Sequence, residues 1–519
     1  MTNLAQIQLV TGDYLGIALY AIVVLGLGAW FARQQRTSTD YLLAGRSMGW
    51  FVVGISQLAS LLSAISYLGN PGEAYAHDLS YLLYSLCGYL SVPIVIYFFL
   101  NFFYSLQLTS IYEYLERRFN YPTRVLAGLI FIAARLAWMA TIVTAISLAM
   151  EELTGLEPRI CIIATTVIAT TYTLVGGMKA IIWTDVMQFF LFVSGLVIAL
   201  GLIIYKDGVA DLVDIVRADG KLEMFHFSRD PAFRISVWTC VTAGVINGLA
   251  NLTDQVSMQR YLSCKSLREA QKAVWLKPVL SIPVTLLTFG LGLALYAHYQ
   301  IHDMAAGIER SDKVFPHFVM HEMSGGLAGI IVAAVFAAAM SSIDSGVHTI
   351  STVCVEDYYK RIFRPDAPDH HCLLLSRVLI VVWAAVIAVV ALVMSGQESI
   401  VGMAYAISAP FFGCSVGIFL LGTATRRATS WGVFCGALLG YGLVLWTKFC
   451  VFQVDSTWHL TPWSLEASQL ELAKPVSNFW LPFVSFVGTV VSGYLISLRF
   501  SRPAEAALRG LTVWGPKNR

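Results

Sequence analysis

Between Val335 and Arg361 the chain reads VFAAAMSSIDSGVHTISTVCVEDYYKR, and its apolar first half carries Ser341, Ser342, Asp344, Ser345, His348 and Thr349 in close succession. On a helix, Ser341, Asp344, Ser345 and His348 fall on one face by the i, i+3, i+4, i+7 rule. A carboxylate at membrane depth costs about 2.5–3.5 kcal/mol on insertion scales, so Asp344 requires a partner, water or a cation. Hydroxyl and carboxylate oxygens suit a hard cation without redox chemistry, which points to sodium. The competing reading has the serines bonded back to their own helix carbonyls and the Asp lining a wet cavity.

Two further stretches set polar groups inside apolar sequence. Residues 50–72 read WFVVGISQLASLLSAISYLGNPG, with Ser56, Ser60 and Ser63 at i, i+4, i+7 spacing and then Ser66. The run passes into Gly69-Asn70-Pro71-Gly72, where a helix break is expected, and carbonyls freed within lipid must line a cavity or find a partner. Residues 244–255 are interrupted in a similar way by Gly244, Asn247, Gly248, Asn251, Thr253, Asp254 and Gln255. Small-residue helix contacts explain glycine and serine alone, but not Asn251, Asp254 and Gln255 together. Asp185, in GGMKAIIWTDVMQ, is open between a solvated interfacial acid and a site residue. Arg135 lies roughly ten residues inside its apolar run, too deep to snorkel easily. Its guanidinium wants a carboxylate from a neighbouring helix or from a ligand, and the sequence leaves both open.

The elements that must position these groups are membrane helices. Hydrophobic residues make up 57% of the 519 and charged residues 13%, against about 25% charged in soluble domains. The formal net charge is +2 and no basic run is present, which excludes a nucleic-acid partner. The nine cysteines include no CxxC pair, and Cys87, Cys161, Cys354 and Cys414 lie in apolar segments, so neither a disulfide framework nor a zinc site is expected. The first apolar run, Tyr14–Phe31, is followed by Arg33 rather than preceded by a cationic head, so it reads as a span and not a cleavable signal. P-loop, strand-to-helix GxGxxG and HExxH motifs are absent.

Apolar runs lie near residues 13–33, 48–69, 79–104, 124–150, 158–178, 181–205, 236–260, 274–299, 326–355, 373–395, 400–424, 429–451 and 477–499. They predict an all-α protein of about 13 transmembrane helices. With the N-terminus outside, about 23 Lys and Arg fall in inside loops and about 10 in outside loops, which predicts N-out and C-in. That tally counts Arg33, Arg36, Arg260 and Lys277 among the inside charges. The connections 206–234 and 302–324 are outside, as lids or solvated loops. A third, 447–478, is rich in Trp and Ser and offers no identifiable site, and the basic tail from Ser501 is expected at the inner surface.

The two interrupted helices lie five spans apart. Two five-helix repeats, each beginning with a broken helix, are the pattern of inverted-repeat secondary transporters. This predicts one transporter domain over 1–519: an extra N-terminal helix at 13–33, repeats at 48–205 and 236–424, extra helices at 429–499 and a cytoplasmic tail at 500–519.

Several motifs carry a resemblance. They are Val175-Gly176-Gly177-Met178-Lys179-Ala180 with Trp183-Thr184-Asp185, the run Asp254–Tyr261, Ala338-Ala339-Met340-Ser341-Ser342, and TSIYEYLERRF at Thr109–Phe119. With these the chain resembles the sodium:solute symporter family over nearly its whole length, although a second family signature around 423–440 fits loosely. The resemblance implies a main sodium site of backbone carbonyls of Ala59, Leu62 and Ala338 and hydroxyls of Ser341 and Ser342. It implies a second sodium site, found in some relatives, from Asp185, Ser341, Asp344 and Ser345. Asp344 stands where a hydroxyl is common, which either strengthens a cation site or lets the site titrate and bring protons in. The implied substrate lining is Ser63, Ser66, Tyr81, Ser85, Arg135, Asp254 and Gln255.

The sugar-transporting branch places Glu-Gln where this chain has Ile65-Ser66, which argues against a simple hexose. The chain looks closer to the branch that carries sialic acid, monocarboxylates, vitamins and anions. In sialic acid carriers an arginine one turn later, where this chain has Trp138, meets the substrate carboxylate.

The expected protein is thus a sodium-coupled symporter of the cell (inner) membrane, not an enzyme, importing a small polar organic solute that bears a carboxylate. Its expected partners are the solute, sodium ions and the lipid bilayer, around a monomeric transport unit. The alternatives are a sodium-coupled carrier of a neutral sugar or polyol, a proton-coupled or uncoupled transporter, and a membrane sensor. For a sensor, the roughly twenty residues after Phe500 are too few to form a signalling module. No nucleophile–base pair points to an enzyme, and His348 is expected to bond a neighbouring carbonyl.

Overall fold

A computed structural model describes residues 11–32, 37–303, 310–323, 326–394, 400–454, 457–461 and 473–514. Arg33 and Arg36, and parts of the 302–324 and 447–478 connections, lie outside them. Backbone N–H and C=O groups in lipid must be satisfied within the segment, so apolar runs fold as helices. Helix occupies every apolar run read from the sequence: α1 (Thr11–Ala32), α2 (Trp50–Ala59), α3 (Asn70–Ala76), α4 (Ser80–Cys87), α5 (Tyr121–Thr154), α6 (Pro158–Asp207), α7 (Val245–Thr253), α8 (Gln255–Leu262), α9 (Leu267–Ile301), α10 (Val314–Glu322), α11 (Leu327–Val353), α12 (Asp369–Met394), α13 (Ile400–Ala424), α14 (Ser430–Cys450) and α15 (Leu481–Ser497). The α4 helix continues through 3₁₀ and π turns as one span, Ser80–Ser105. Among the described residues, nine helices are long and apolar enough to cross a membrane, and Trp50–Ala59, Pro158–Leu174 and Phe411–Ala424 are shorter apolar helices.

The breaks differ in detail from the expected ones. The second span opens at residues 60–63, between α2 and a π-helical turn at Ile65–Gly69. The Gly69-Asn70-Pro71-Gly72 run, expected to end the helix, instead starts α3 with Pro71 in its first turn. Gly69 and Asn70 keep helical φ/ψ, so the π turn runs directly into α3, and Pro71 supplies no N–H to the ladder at that junction. The second break is a single residue: Asp254 is extended, with φ −88° and ψ 119°, between α7 and α8. The turn near Lys179 is made within α6 by Gly177, at φ 57° and ψ −169°. Essentially only glycine adopts that conformation.

Part of the small-residue reading also holds. A Cβ on Gly248 would overlap the Gly88 carbonyl and Ser91 Oγ, and one on Gly244 would sit 2.9 Å from the Tyr84 carbonyl. These two glycines let α7 and the turn before it lie directly against the Ser80–Ser105 span.

The α11 helix is the centre of the bundle and is buried along almost its whole length. The α1 helix docks on it: Asp13 Oδ1 accepts from the Gly329 N–H at 2.7 Å, and Tyr20 donates to Met340 Sδ at 3.4 Å. The connections meet in two groups. In one group, Lys221 Nζ donates to the Tyr75 carbonyl at 2.6 Å, His226 Nε2 meets Asp78 Oδ2 at 2.6 Å, Glu73 pairs with Arg234, and Lys206 pairs with Glu322. In the other group, Arg118 donates to the Gly422 carbonyl at 3.1 Å and Arg124 Nε binds Asp357 at 2.7 Å. There too the tail folds back, with the Val513 N–H donating to the Thr423 carbonyl at 3.0 Å. The 447–478 connection adds three short antiparallel strands to an otherwise helical chain: β1 (Phe452–Val454), β2 (Thr457–His459) and β3 (Lys474–Pro475), in the order β2-β1-β3.

Candidate functional site

The break in the second span lies against the paired serines of α11. Ser341 Oγ donates to the Ala59 carbonyl at 3.0 Å and to the Ala338 carbonyl at 3.1 Å. Ser342 Oγ donates to the Ser60 carbonyl at 3.4 Å. Leu62 sits in the non-helical stretch beside them and lines the adjoining cavity. The fold thus converges backbone and hydroxyl oxygens from two helices on one buried spot. That donor set matches a hard monovalent cation, which needs several neutral oxygens and no soft ligand.

Asp185, Ser341, Asp344 and Ser345 also converge, but around a group absent from the expected set. Arg260 of α8 is fully buried, and its Nη2 reaches Asp185 Oδ2 at 2.8 Å and also Ser345 Oγ. Its Nε donates to Ser56 Oγ at 2.9 Å, and Ser56 in turn donates to Asp185 Oδ2 at 2.5 Å. Asp344 Oδ2 accepts from the Tyr172 hydroxyl at 2.7 Å. Ser345 Oγ donates to the Ser341 carbonyl at 2.5 Å, so for this serine the back-bonded reading applies. Asp185 Oδ1 is buried with no hydrogen-bond partner. With all three groups ionised, two carboxylates face one guanidinium and leave one negative charge in the bundle core. One monovalent cation would balance it.

Beside the break lies a cavity of about 240 Å³. Ser66, Tyr81, Ser85, Arg135 and Asp254 of the expected lining reach it. Arg135 is engaged: its Nη2 donates to Asp254 Oδ2 at 2.6 Å. With Trp138, Ala250 and Phe412, this pair borders both the cavity and a smaller one of about 30 Å³. Two expected lining residues are elsewhere. Ser63 is fully buried and accepts from the Ile65 N–H at 3.2 Å. Gln255 fastens a loop, accepting from the Ile111 N–H at 2.8 Å and donating to the Thr109 carbonyl at 2.8 Å. The amide is thus held by backbone at both ends, and Gln255 is not among the residues that line the cavity.

Three contributors were not singled out from sequence. Arg260 and Lys277 were counted as inside-loop charges, yet Arg260 is in the core and Lys277 lines the cavity. The available signal for Lys277 was its position three residues inside the run 274–299. Tyr172 carried no signal, since one tyrosine among apolar residues is ordinary in a membrane helix. His348 behaves as expected, with Nε2 3.2 Å from the Tyr41 carbonyl.

Two broken helices crossing beside a buried oxygen cluster and a cavity define a multi-pass membrane transporter of the inverted-repeat type. The profile of the sodium:solute symporter family matches residues 41–440, and the chain belongs to that family. It is 29% identical over 446 residues to the human sodium-coupled monocarboxylate transporter 1, covering 84% of this chain and 73% of that protein. It is 30% identical over 451 residues to the sodium/sialic acid symporter of Aliivibrio fischeri, covering 84% of this chain and 88% of that protein. A solved structure of a Na+-coupled sialic acid symporter, in a substrate-bound outward-open state, superposes with a TM-score of 0.82 at 24% identity, covering 95% of this chain and 98% of that one. That likeness establishes the shared fold.

Proposed function

We propose that this chain is a sodium-coupled symporter that carries a small organic carboxylate across the cell membrane without chemically altering it. The observation that carries this reading is the oxygen cluster of Ala59, Ala338, Ser341 and Ser342 at a helix break beside a polar cavity. In this reading Leu62 adds a carbonyl to the main ion site. Asp185, Asp344 and the hydroxyls beside them attract a second cation to the negative core. The carboxylate class rests on the monocarboxylate and sialic acid relatives. At about 240 Å³, the cavity falls just below the roughly 300–1,000 Å³ usual for drug-sized ligands, which favours a compact solute.

The repeats are proposed at 48–205 and 236–424, each opening with its broken helix. The transport unit is taken as a monomer, because ion site and cavity are complete within one chain. The orientation follows the charge asymmetry: the Lys206–Arg234 group faces outside and the Arg118–Arg124 group with the tail faces inside. The inward sodium gradient and the membrane potential, about 2.3 kcal/mol per charge per 100 mV, then drive import.

The test is thermal stabilisation of the purified chain in sodium against potassium, with lactate, sialic acid and neutral analogues. A ligand that binds only the native state raises its stability. A shift that needs sodium and a carboxylate together is the expected result. Stabilisation equal in both salts, or by neutral solutes alone, sinks the reading. Asp344→Ser, assayed by uptake into vesicles, should change the number of coupled ions without making uptake pH-dependent; a new or lost pH dependence would assign Asp344 to protons instead.

A further inference from the structure

The cavity holds two cationic side chains, Arg135 and Lys277, and one carboxylate, Asp254. With all three ionised the sum is +1. The carboxylate is already taken: Arg135 Nη2 lies 2.6 Å from Asp254 Oδ2, and the two form an ion pair. Lys277 is different. It lies in the interior of α9, just before Pro278, and borders the cavity. Among the described residues it makes no hydrogen bond and no ion pair. A cation at membrane depth is costly unless it has a partner, and such residues mark the paths of substrates and ions. The cavity around it offers further polar groups, including Ser66, Asn70, Ser281 and Thr285, and no second carboxylate.

We infer that Lys277 receives the carboxylate of the solute and that the solute is a compact monoanion. This rests on the carboxylate reading above and changes which residue carries it: Arg135 serves as the fixed partner of Asp254, and Lys277 supplies the open charge. The two side chains suit these roles. A guanidinium forms a rigid, geometrically defined pair with a carboxylate, whereas a lysine ammonium is a mobile point charge on a flexible stem. A monoanion brings the cavity to neutrality. A dianion would overshoot by one charge, and a neutral solute would leave the ammonium without a counter-charge.

The test compares wild type, Lys277→Gln and Lys277→Arg as purified full-length protein. Each is titrated with lactate, with lactamide as its neutral counterpart, and with sialic acid, all in sodium, following thermal stabilisation. Sodium alone serves as the control for an intact fold and ion site. Lys277→Gln should keep the sodium shift and need about ten- to a hundredfold more carboxylate, the range expected for losing one charged hydrogen bond. Lys277→Arg should recover much of the response, since the charge is restored. In Lys277→Gln the preference for lactate over lactamide should collapse.

A Lys277→Gln protein with the wild-type carboxylate dependence overturns the assignment and leaves the carboxylate reading standing. Wild type indifferent to every carboxylate overturns that reading and the assignment with it. If Lys277→Gln loses the sodium shift as well, Lys277→Arg decides: a normal sodium shift with no carboxylate response would also overturn the assignment.

Discussion

Arg260→Met removes the guanidinium that the bundle core holds beside Asp185 and Asp344. Arg260 and Asp185 are both fully buried, so water does not screen the pair. The substitution deletes the donors to Asp185 Oδ2 at 2.8 Å, Ser56 Oγ at 2.9 Å and the Val256 carbonyl at 3.2 Å. Breaking a buried pair from one side costs about 3–5 kcal/mol, mostly the penalty of the charge left behind. Against a total stability of about 5–15 kcal/mol this is a large loss. Asp185→Asn should cost less, because Asp344 remains to balance the guanidinium and the loss is that of the charged hydrogen bonds to Asp185 Oδ2. In the double variant Asp344 is left as the single core carboxylate, the same net charge as wild type and one fewer than in Arg260→Met, so its loss should fall at least about 2 kcal/mol short of the sum of the singles.

The assay is a denaturation cycle over the four proteins in sodium-free potassium buffer. Repeating it in sodium adds a second readout. With Arg260 gone, two carboxylates share the core, and sodium should stabilise Arg260→Met more than wild type. Strict additivity of the two single losses, or an Arg260→Met loss under about 1 kcal/mol, the scale of an exposed pair, would refute a buried and energetically coupled pair.

Ser342→Ala deletes a hydroxyl of the main ion site but leaves the Ser341 bridge to Ala59, so about tenfold more sodium should be needed for half-maximal stabilisation; an unchanged titration would remove Ser342 from the site. Gly248→Ala places a methyl group against the Gly88 carbonyl, where backbone must yield, and should cost about 1–3 kcal/mol as overpacking. Gly88→Ala, whose nearest neighbour would be the Gly244 carbonyl at an ordinary 3.4 Å, should be milder, and equal losses in denaturation would contradict the packing.

At Asp78, burial raises the carboxyl, but hydrogen bonds from Ser80 and the contact with His226 outweigh it and hold the carboxyl below its usual range. A group depressed in this way contributes stability above its unfolded value, about 4, and that stability is lost as pH falls through the lower folded value. The Tm advantage of wild type over Asp78→Asn should therefore be full at pH 6 and shrink below about pH 4; a constant gap would show that the carboxylate charge plays no part.

Much of this protein follows from its sequence alone. The apolar runs had to become helices because lipid offers backbone no other partner, and helix occupies every one of them. The oxygen-bearing face of residues 341–348 and the interruption at Asp254 were visible because hydroxyls, amides and acids stand out against an apolar background. The family was legible in a few contiguous motifs. What sequence could not decide was which polar group faces which. The Gly69–Gly72 run looked like the break, yet the helix opens at residues 60–63, where Ser341 and Ser342 of a distant helix meet the carbonyls of Ala59 and Ser60. Gln255 looked like a ligand until loop 109–111 used both ends of its amide. Arg260 and Lys277 look alike in sequence, as two basic residues at the edges of the apolar runs 236–260 and 274–299. Only the packing of α8 into the core buries the first between carboxylates, and only the path of α9 sets the second along the cavity outside any ion pair among the described residues. Burial and pairing of a charge depend on which helices meet, and local sequence carries no record of that.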